Sequence, residues 1–423
     1  MQIEGSVAPG FESVKQLYEQ NMRTLVERNT QLCVYVGTEC VVDLWASAID
    51  DASFSGDSLV NVFSSGKSLE AITMAMLVDR GQLEYNAKIT DYWPEFAASS
   101  IRETTIADLM RHEAGLAAFD TTLDPHDLHP GKLKTNAVGA IIERQVQKFR
   151  LGDGKQREYH AITRGWIANE IFRRVEPLGR TMGQFLREEI SEPLDADVFI
   201  GLHDHELPRI NEVAMLGFGY QFLQGLRPKA MGRKMELNLA QTIAKFWRLR
   251  AGMKNRTTAG SPVPISGMKK LSVLDTPALA KGEIPSAGAK CSARGLAKLA
   301  AVMANGGRVA ERQLLGERAN AELHGAPVQR TMMALNTTFT QGGLASFPGP
   351  SPADRPLDRG LNQGREGYFG WMGLGGSIFQ WHPQLKIGFA YVPTSLNVLD
   401  IVNERGKGYQ AEMVRCVESA PEG

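Results

Sequence analysis

The chain has 423 residues, 43% of them apolar and 22% charged, which is the make-up of a globular protein with ample core. Lys and Arg number 47 and Asp and Glu 47, so the balance gives no sign of nucleic acid or an anionic membrane as partner. No apolar run approaches the ~18 residues of a membrane-spanning helix, and Met1-Gln2-Ile3-Glu4-Gly5 lacks a signal-peptide layout, so a cytoplasmic protein without a membrane span is expected. Four cysteines (Cys33, Cys40, Cys291, Cys416) form no C-x-x-C pair, so free thiols are the expectation, with Cys33–Cys40 the one bridge left open.

Apolar residues at Phe11, Val14, Leu17, Tyr18, Met22, Leu25 and Val26 predict a helix over residues 11–28. Two β-rich runs, 32–36 and 41–46, joined by Gly37-Thr38-Glu39, predict a hairpin. Next, Val60-Asn61-Val62-Phe63-Ser64-Ser65-Gly66-Lys67 reads as a short extended piece, a turn and a helix opening on Ser64-x-x-Lys67. Ala71, Ile72, Met74, Ala75, Met76 and Leu77 make that helix apolar nearly all round, as in one buried inside a domain. Residues 81–284 read as mainly helical: a capped helix at 104–116 stopped by Gly115, a surface loop at 117–135, and helices at 137–149, 162–175, 182–190 and 237–249. The Gly-, Pro- and Ser-rich stretch 251–284 reads as a loop that could cover a pocket.

Ser292 caps a helix that runs to Asn305-Gly306-Gly307. A second hairpin is expected from 377–381 and 386–392, and an amphipathic helix over 401–417 closes the chain. Strands at both ends with helices between them define an α/β (α+β) architecture, one antiparallel sheet built from both chain ends, flanked by helices, with an inserted mainly helical region. A single domain, 1–423, is expected, in which 1–80 and 285–423 form the sheet part and 81–284 the helical part.

Ser64 and Lys67 lie three apart on one helix face. A serine hydroxyl needs something to take its proton, and a lysine can do so when burial lowers its pKa. The helix N-terminus adds unpaired N–H groups that favour an anion beside the serine. Tyr159, in Glu158-Tyr159-His160-Ala161, is a second candidate base, provided that a cation such as Lys67 stands near its phenol. The run Phe369-Gly370-Trp371-Met372-Gly373-Leu374-Gly375-Gly376-Ser377 carries glycines into a strand, where N–H groups can be aimed at a developing oxyanion.

These three elements, in this order, resemble the serine β-lactamase-like family of class C β-lactamases, penicillin-binding proteins and related esterases. Ile106-Ala107-Asp108-Leu109-Met110-Arg111-His112-Glu113-Ala114-Gly115-Leu116 and Ile284-Pro285-Ser286-Ala287-Gly288 with Ser292-Ala293-Arg294-Gly295-Leu296-Ala297 resemble two further segments of it. The resemblance implies Ser64 as acylated nucleophile, Lys67 and Tyr159 as its proton relay, and the N–H groups of Ser64 and Leu374 as oxyanion donors. Where β-lactamases and transpeptidases carry K-T/S-G, this chain has Trp371-Met372-Gly373, and Tyr159-His160-Ala161 replaces Tyr-x-Asn. An indole cannot pair with a carboxylate and suits an uncharged group.

The expected function is therefore serine hydrolysis of a small-molecule carboxylic ester, with Trp371, Gly373 and His160 beside the substrate, no cofactor and no metal. An acyltransferase, β-lactamase or peptidase working through the same acyl-enzyme, a non-catalytic scaffold, and a homo-oligomer stay open as alternatives. Gly66-Lys67-Ser68 mimics the end of a P-loop but lacks its earlier glycine, Asn61 standing there. His203-Asp204-His205-Glu206 reads as a solvated loop, His112 as a packing residue, and no G-x-S-x-G occurs.

Overall fold

The computed structural model describes every residue except 99–101, 150–156, 253, 255, 310–311, 353, 398–399, 401, 420–423 and the side chain of 249. Nine strands form one antiparallel sheet: β1 Ile3–Val7, β2 Asn29–Val36, β3 Glu39–Ser47, β4 Val328–Met332, β5 Leu335–Phe339, β6 Ala345–Ser346, β7 Phe369–Met372, β8 Ile378–His382 and β9 Ile387–Pro393. Their spatial order is β1-β3-β2-β9-β8-β7-β6-β5-β4. The β2–β9 ladder, from Val36 opposite Ile387 to Thr30 opposite Pro393, joins the two ends of the chain.

Seven longer helices frame the sheet and the inserted region: α1 Glu12–Thr24, α2 Gly66–Asp79, α3 Thr163–Val175, α4 Phe218–Leu226, α5 Leu239–Gly252, α6 Ala293–Ala304 and α7 Glu404–Glu418. Strand alternation divides the core into two layers. Ile387, Phe389 and Tyr391 of β9 face α1 and α7, where Tyr409 meets Tyr18 and Tyr391 at ring separations of 6.1 and 5.3 Å. Ala390 and Val392 face the layer that holds α2 and α6. The α6 N-cap is the expected one, Ser292 Oγ accepting the Gly295 N–H at 3.1 Å. α6 lies so close to β9 that a Cβ on Gly388 would collide with the backbone of Ala301.

Both hairpins form, the first turning on Gly37 and Thr38 between Val36 and Glu39, the second between His382 and Ile387. Helix boundaries in the inserted region differ more. The helix expected at 104–116 covers only Ile106–Met110, because His112 adopts a left-handed φ of +67° before Gly115 is reached. Residues 137–149 yield one helical turn, Gly139–Ile142. The stretch 117–135 is not a surface loop: Leu123, Leu128 and Leu133 are buried, and the short helices Pro125–Leu128 and Pro130–Leu133 carry two of them inward. Its leucines, five apart, are too widely spaced to register as a helical or strand period. Within 251–284, Leu271–Asp275 and Pro277–Ala280 are helical. The closing helix begins at Glu404, and Ile401 lies outside the described residues. All four cysteines are free, with the Sγ atoms of Cys33 and Cys40 3.8 Å apart.

Gly388→Ala is expected to lower stability by about 1–3 kcal/mol, since the added methyl must displace the backbone of α6. A urea titration checks this: the midpoint should fall with the slope unchanged.

Candidate active site

A two-residue strand, Val60–Asn61, pairs with Lys290–Cys291, and the Val62 N–H bonds to Ala289 O, so the chain approaching Ser64 is fixed from one side. Phe63 takes a left-handed φ of +48°, a strained conformation for a residue with a Cβ, and turns the chain into the 3-10 segment Phe63–Ser65 that opens α2. Lys67 stands one turn on and is 1% exposed. Its Nζ lies 2.7 Å from Ala161 O, 2.9 Å from Ser286 O and 3.5 Å from Ser64 Oγ. The Tyr159 hydroxyl donates to Ser64 Oγ at 2.6 Å and accepts the indole N–H of Trp371 at 3.1 Å. Nucleophile, amine, phenol and indole thus form one connected chain of hydrogen bonds.

Burial, and then the Arg164 charge, push the Lys67 pKa well below the usual lysine value, with Glu70 acting in the opposite sense. Burial raises the Tyr159 phenol above its ordinary value, although Ser64 and Trp371 hydrogen-bond it. The phenolate that a tyrosine base requires is therefore disfavoured, and Lys67, whose ring contact with Tyr159 is 4.8 Å, is the group driven toward a free lone pair. In its neutral form, two N–H bonds serve the carbonyls of Ala161 and Ser286, leaving the lone pair for the Ser64 proton.

Behind these residues lies an ion pair with both side chains fully buried. Arg164 Nε of α3 meets Glu70 Oε1 of α2 at 2.7 Å. Arg164 also donates to Lys67 O at 3.0 Å and Met110 O at 2.9 Å, and Ser286 Oγ donates to Glu70 Oε2 at 2.7 Å. Neither Glu70 nor Arg164 was legible as a site residue from its motif. Glu70 carries the only available signal, a carboxylate set in the mainly apolar body of α2, whose other carboxylate, Asp79, stands at its C-terminal end.

Trp371 stands against α2, and Gly373 against the Val62–Ser65 segment that leads into it. The Trp371 N–H donates to Ser68 Oγ at 2.9 Å, and Ser377 Oγ bonds Val62 O at 2.7 Å and Ser65 Oγ at 3.0 Å. A Cβ on Gly373 would collide with Ser377 Oγ and Val62 O, so only glycine lets the β7–β8 turn close on the serine segment. Leu374, at the tip of that turn, is 39% exposed.

His160 faces away from the pocket expected for it. It is buried, its Nδ1–H donating to Glu158 O at 2.7 Å and its Nε2 accepting the Leu116 N–H at 3.1 Å, with burial lowering its pKa to about 3. His112 is likewise buried, 4.9 Å from the Tyr159 ring, its Nδ1 accepting the His160 N–H at 3.1 Å. The two imidazoles position the Tyr159 segment, and Arg157 pins its other side to Glu113 and Thr337 O, both at 2.8 Å. In the 203–206 loop, Glu206 is occupied by Arg187 at 2.6 and 2.9 Å. Among the described residues, no group of three or more His, Cys, Asp or Glu is placed to hold a metal.

A serine at a helix N-terminus with a buried lysine and a phenol converging on it is the equipment of a serine hydrolase. The chain belongs to the Beta-lactamase family, whose model matches residues 14–407. It is 28% identical over 407 residues to the Mycobacterium tuberculosis (strain ATCC 25618 / H37Rv) protein named Esterase/beta-lactamase LipL, covering 93% of this chain and 83% of that one. A penicillin-binding protein homologue from Caulobacter crescentus superposes with a TM-score of 0.75 at 26% identity, covering 98% of this chain and 100% of that one. A family VIII carboxylesterase shares the fold at TM-score 0.74 and 24% identity, covering 98% and 100% of the two chains.

Glu70→Ala should cost about 3–5 kcal/mol, because it strands the buried Arg164 charge without its partner. Chemical denaturation of the variant checks this; a loss below about 1 kcal/mol would mean that Arg164 is held by its carbonyl partners alone.

Proposed function

We propose that the protein hydrolyses uncharged carboxylic esters through an acyl-enzyme on Ser64. The observation that carries this reading is the position of Ser64 Oγ, 3.5 Å from a lysine driven toward its neutral form and 2.6 Å from a protonated phenol. Lys67 takes the serine proton as Oγ attacks the ester carbonyl. The N–H groups of Ser64 and Leu374 are the donors assigned to the tetrahedral oxyanion. Collapse breaks the C–O bond, and the departing alkoxide leaves as alcohol with the proton that Lys67 had taken, Tyr159 being the hydroxyl nearest its path. Water then attacks the acyl carbon, giving one proton to the same pair, and Ser64 leaves the acid with its hydroxyl restored.

Trp371 in place of a cation supports an ester over a carboxylate-bearing β-lactam, since its N–H is spent on Tyr159. The relative named Esterase/beta-lactamase makes a β-lactam the contrast substrate.

Intact mass after treatment with a fluorophosphonate should show one adduct on the native chain and none on Ser64→Ala. A folded native chain that takes up no label would sink the acyl-enzyme reading. Lys67→Arg keeps a cation but removes the base, and is expected to cut kcat/KM toward a p-nitrophenyl ester by roughly 10²–10⁴-fold. The active form has Lys67 uncharged, so activity falls as pH drops through the Lys67 pKa. Because that pKa is depressed, the acid limb of kcat/KM should lie well below the ~10.4 of an ordinary lysine.

A further inference from the structure

Helices α4 and α5 are turned inside out. In α4 the buried residues are Gln221, Gln224 and Gly225, with Gln221 Nε2 donating to Leu216 O at 2.9 Å and Gln224 Oε1 accepting the Lys234 N–H at 3.0 Å. The apolar side chains point outward: Phe218 is 67% exposed and Leu223 62%, with Phe222 and Leu226 beside them. In α5 the inward residue is Lys245, paired with Glu404 of α7 at 3.1 Å, while Ile243, Phe246 and Trp247, the last 61% exposed, face outward. A helix with one apolar stripe normally buries it; here both stripes are left on the surface, a patch that marks an interaction site.

The same segment concentrates positive charge. Residues 213–256 contain nine Lys and Arg and one acidic residue, Glu236, in a chain whose totals are 47 and 47. Arg227, Lys229, Lys234, Arg248, Arg250 and Lys254 are all exposed, and Glu236 lies 3.5 Å from Lys229. The two ends of the segment are anchored beside the site. Ala214–Met215 pairs in parallel with Ser395–Leu396, on which Gly375, next to Leu374, is packed. At the other end the N–H and hydroxyl of Thr257 bond the carboxylate of Glu158, next to Tyr159, both at 2.6 Å.

We propose that the α4–α5 hairpin docks the protein onto an anionic lipid–water interface. Aromatic and aliphatic side chains outward with cations around them are what the headgroup boundary takes up, the phosphates receiving Arg and Lys. A second copy meeting the same patch about a two-fold axis would set cations against cations. Among the described residues no helix is long and apolar enough to cross a membrane, and the proposed docking uses only the exposed face of the hairpin. Docking brings the segments around Ser64 to the lipid surface.

The test is sedimentation of the full chain, as Ser64→Ala, with vesicles of mixed phosphatidylglycerol and phosphatidylcholine and with phosphatidylcholine alone. With no turnover possible, binding is read independently of the ester-hydrolase reading. The expected result is affinity about tenfold or more higher for the anionic vesicles, falling as salt is raised. Leu223→Ser with Trp247→Ser, and separately Arg248→Gln with Arg250→Gln, should each weaken binding by about tenfold; all four residues are on the surface or flank it, and far-UV circular dichroism should be unchanged. Equal affinity for both vesicles, or none for either, overturns the proposal. A dimer by light scattering that the Leu223/Trp247 variant loses, without vesicle binding, would assign the patch to a second copy instead.

Discussion

The active-site region hangs on the buried pair of Glu70 and Arg164. Through it α2 is tied to α3, to the Met110 turn and to the Ser286 loop. Arg164 also holds the Lys67 carbonyl, and Ser286 offers its own carbonyl to the Lys67 amine. The pair therefore fixes where Lys67 stands. It also acts on the charge of Lys67 in two opposed directions, Arg164 lowering its pKa and Glu70 raising it. A lone buried cation there would be costly, and a lone carboxylate would hold the lysine charged; together they leave burial as the dominant influence.

Outside that ion pair, the titratable groups nearest Ser64 are driven toward their neutral forms. Lys67, His112 and His160 are all pushed toward their neutral forms by burial, and Tyr159 keeps its proton for the same reason. Neutral imidazoles suit the work they do, each presenting an acceptor nitrogen to a backbone N–H near Tyr159. The indole of Trp371 continues this pattern, donating one hydrogen bond to the phenol and otherwise offering apolar surface, with Phe339 5.2 Å away. Under the proposed ester-hydrolase reading, these surroundings favour discrimination through shape and desolvation over ion pairing.

The surface follows a different rule from the site. Equal totals of acidic and basic residues conceal a basic, apolar hairpin set against a remainder with an acidic excess. Net charge is a sum and carries no position, which is why the composition gave no lead to an anionic surface. The inverted α4 is also hidden from pattern reading, because a stripe of Phe218, Phe222 and Leu226 is the same stripe whichever way it faces.

What the sequence determined by itself is what local periodicity and short-range chemistry dictate. The two hairpins, the buried α2, the Ser292 cap and the sheet assembled from both chain ends follow from alternation, from apolar composition and from a hydroxyl within reach of the next N–H groups. The resemblance carried by Ser64-x-x-Lys67, Tyr159 and the Trp371–Gly373 turn pointed to the segments that meet. Only the tertiary structure decided their geometry and protonation. It set Tyr159 against a serine 95 residues away, turned His160 inward onto Leu116, and drew Leu123, Leu128 and Leu133 out of an apparent surface loop. The reason is physical: a residue pattern specifies that a face is apolar or that a group can titrate. Whether that face is covered, and which protonation state prevails, depends on the desolvation and the partners that packing supplies.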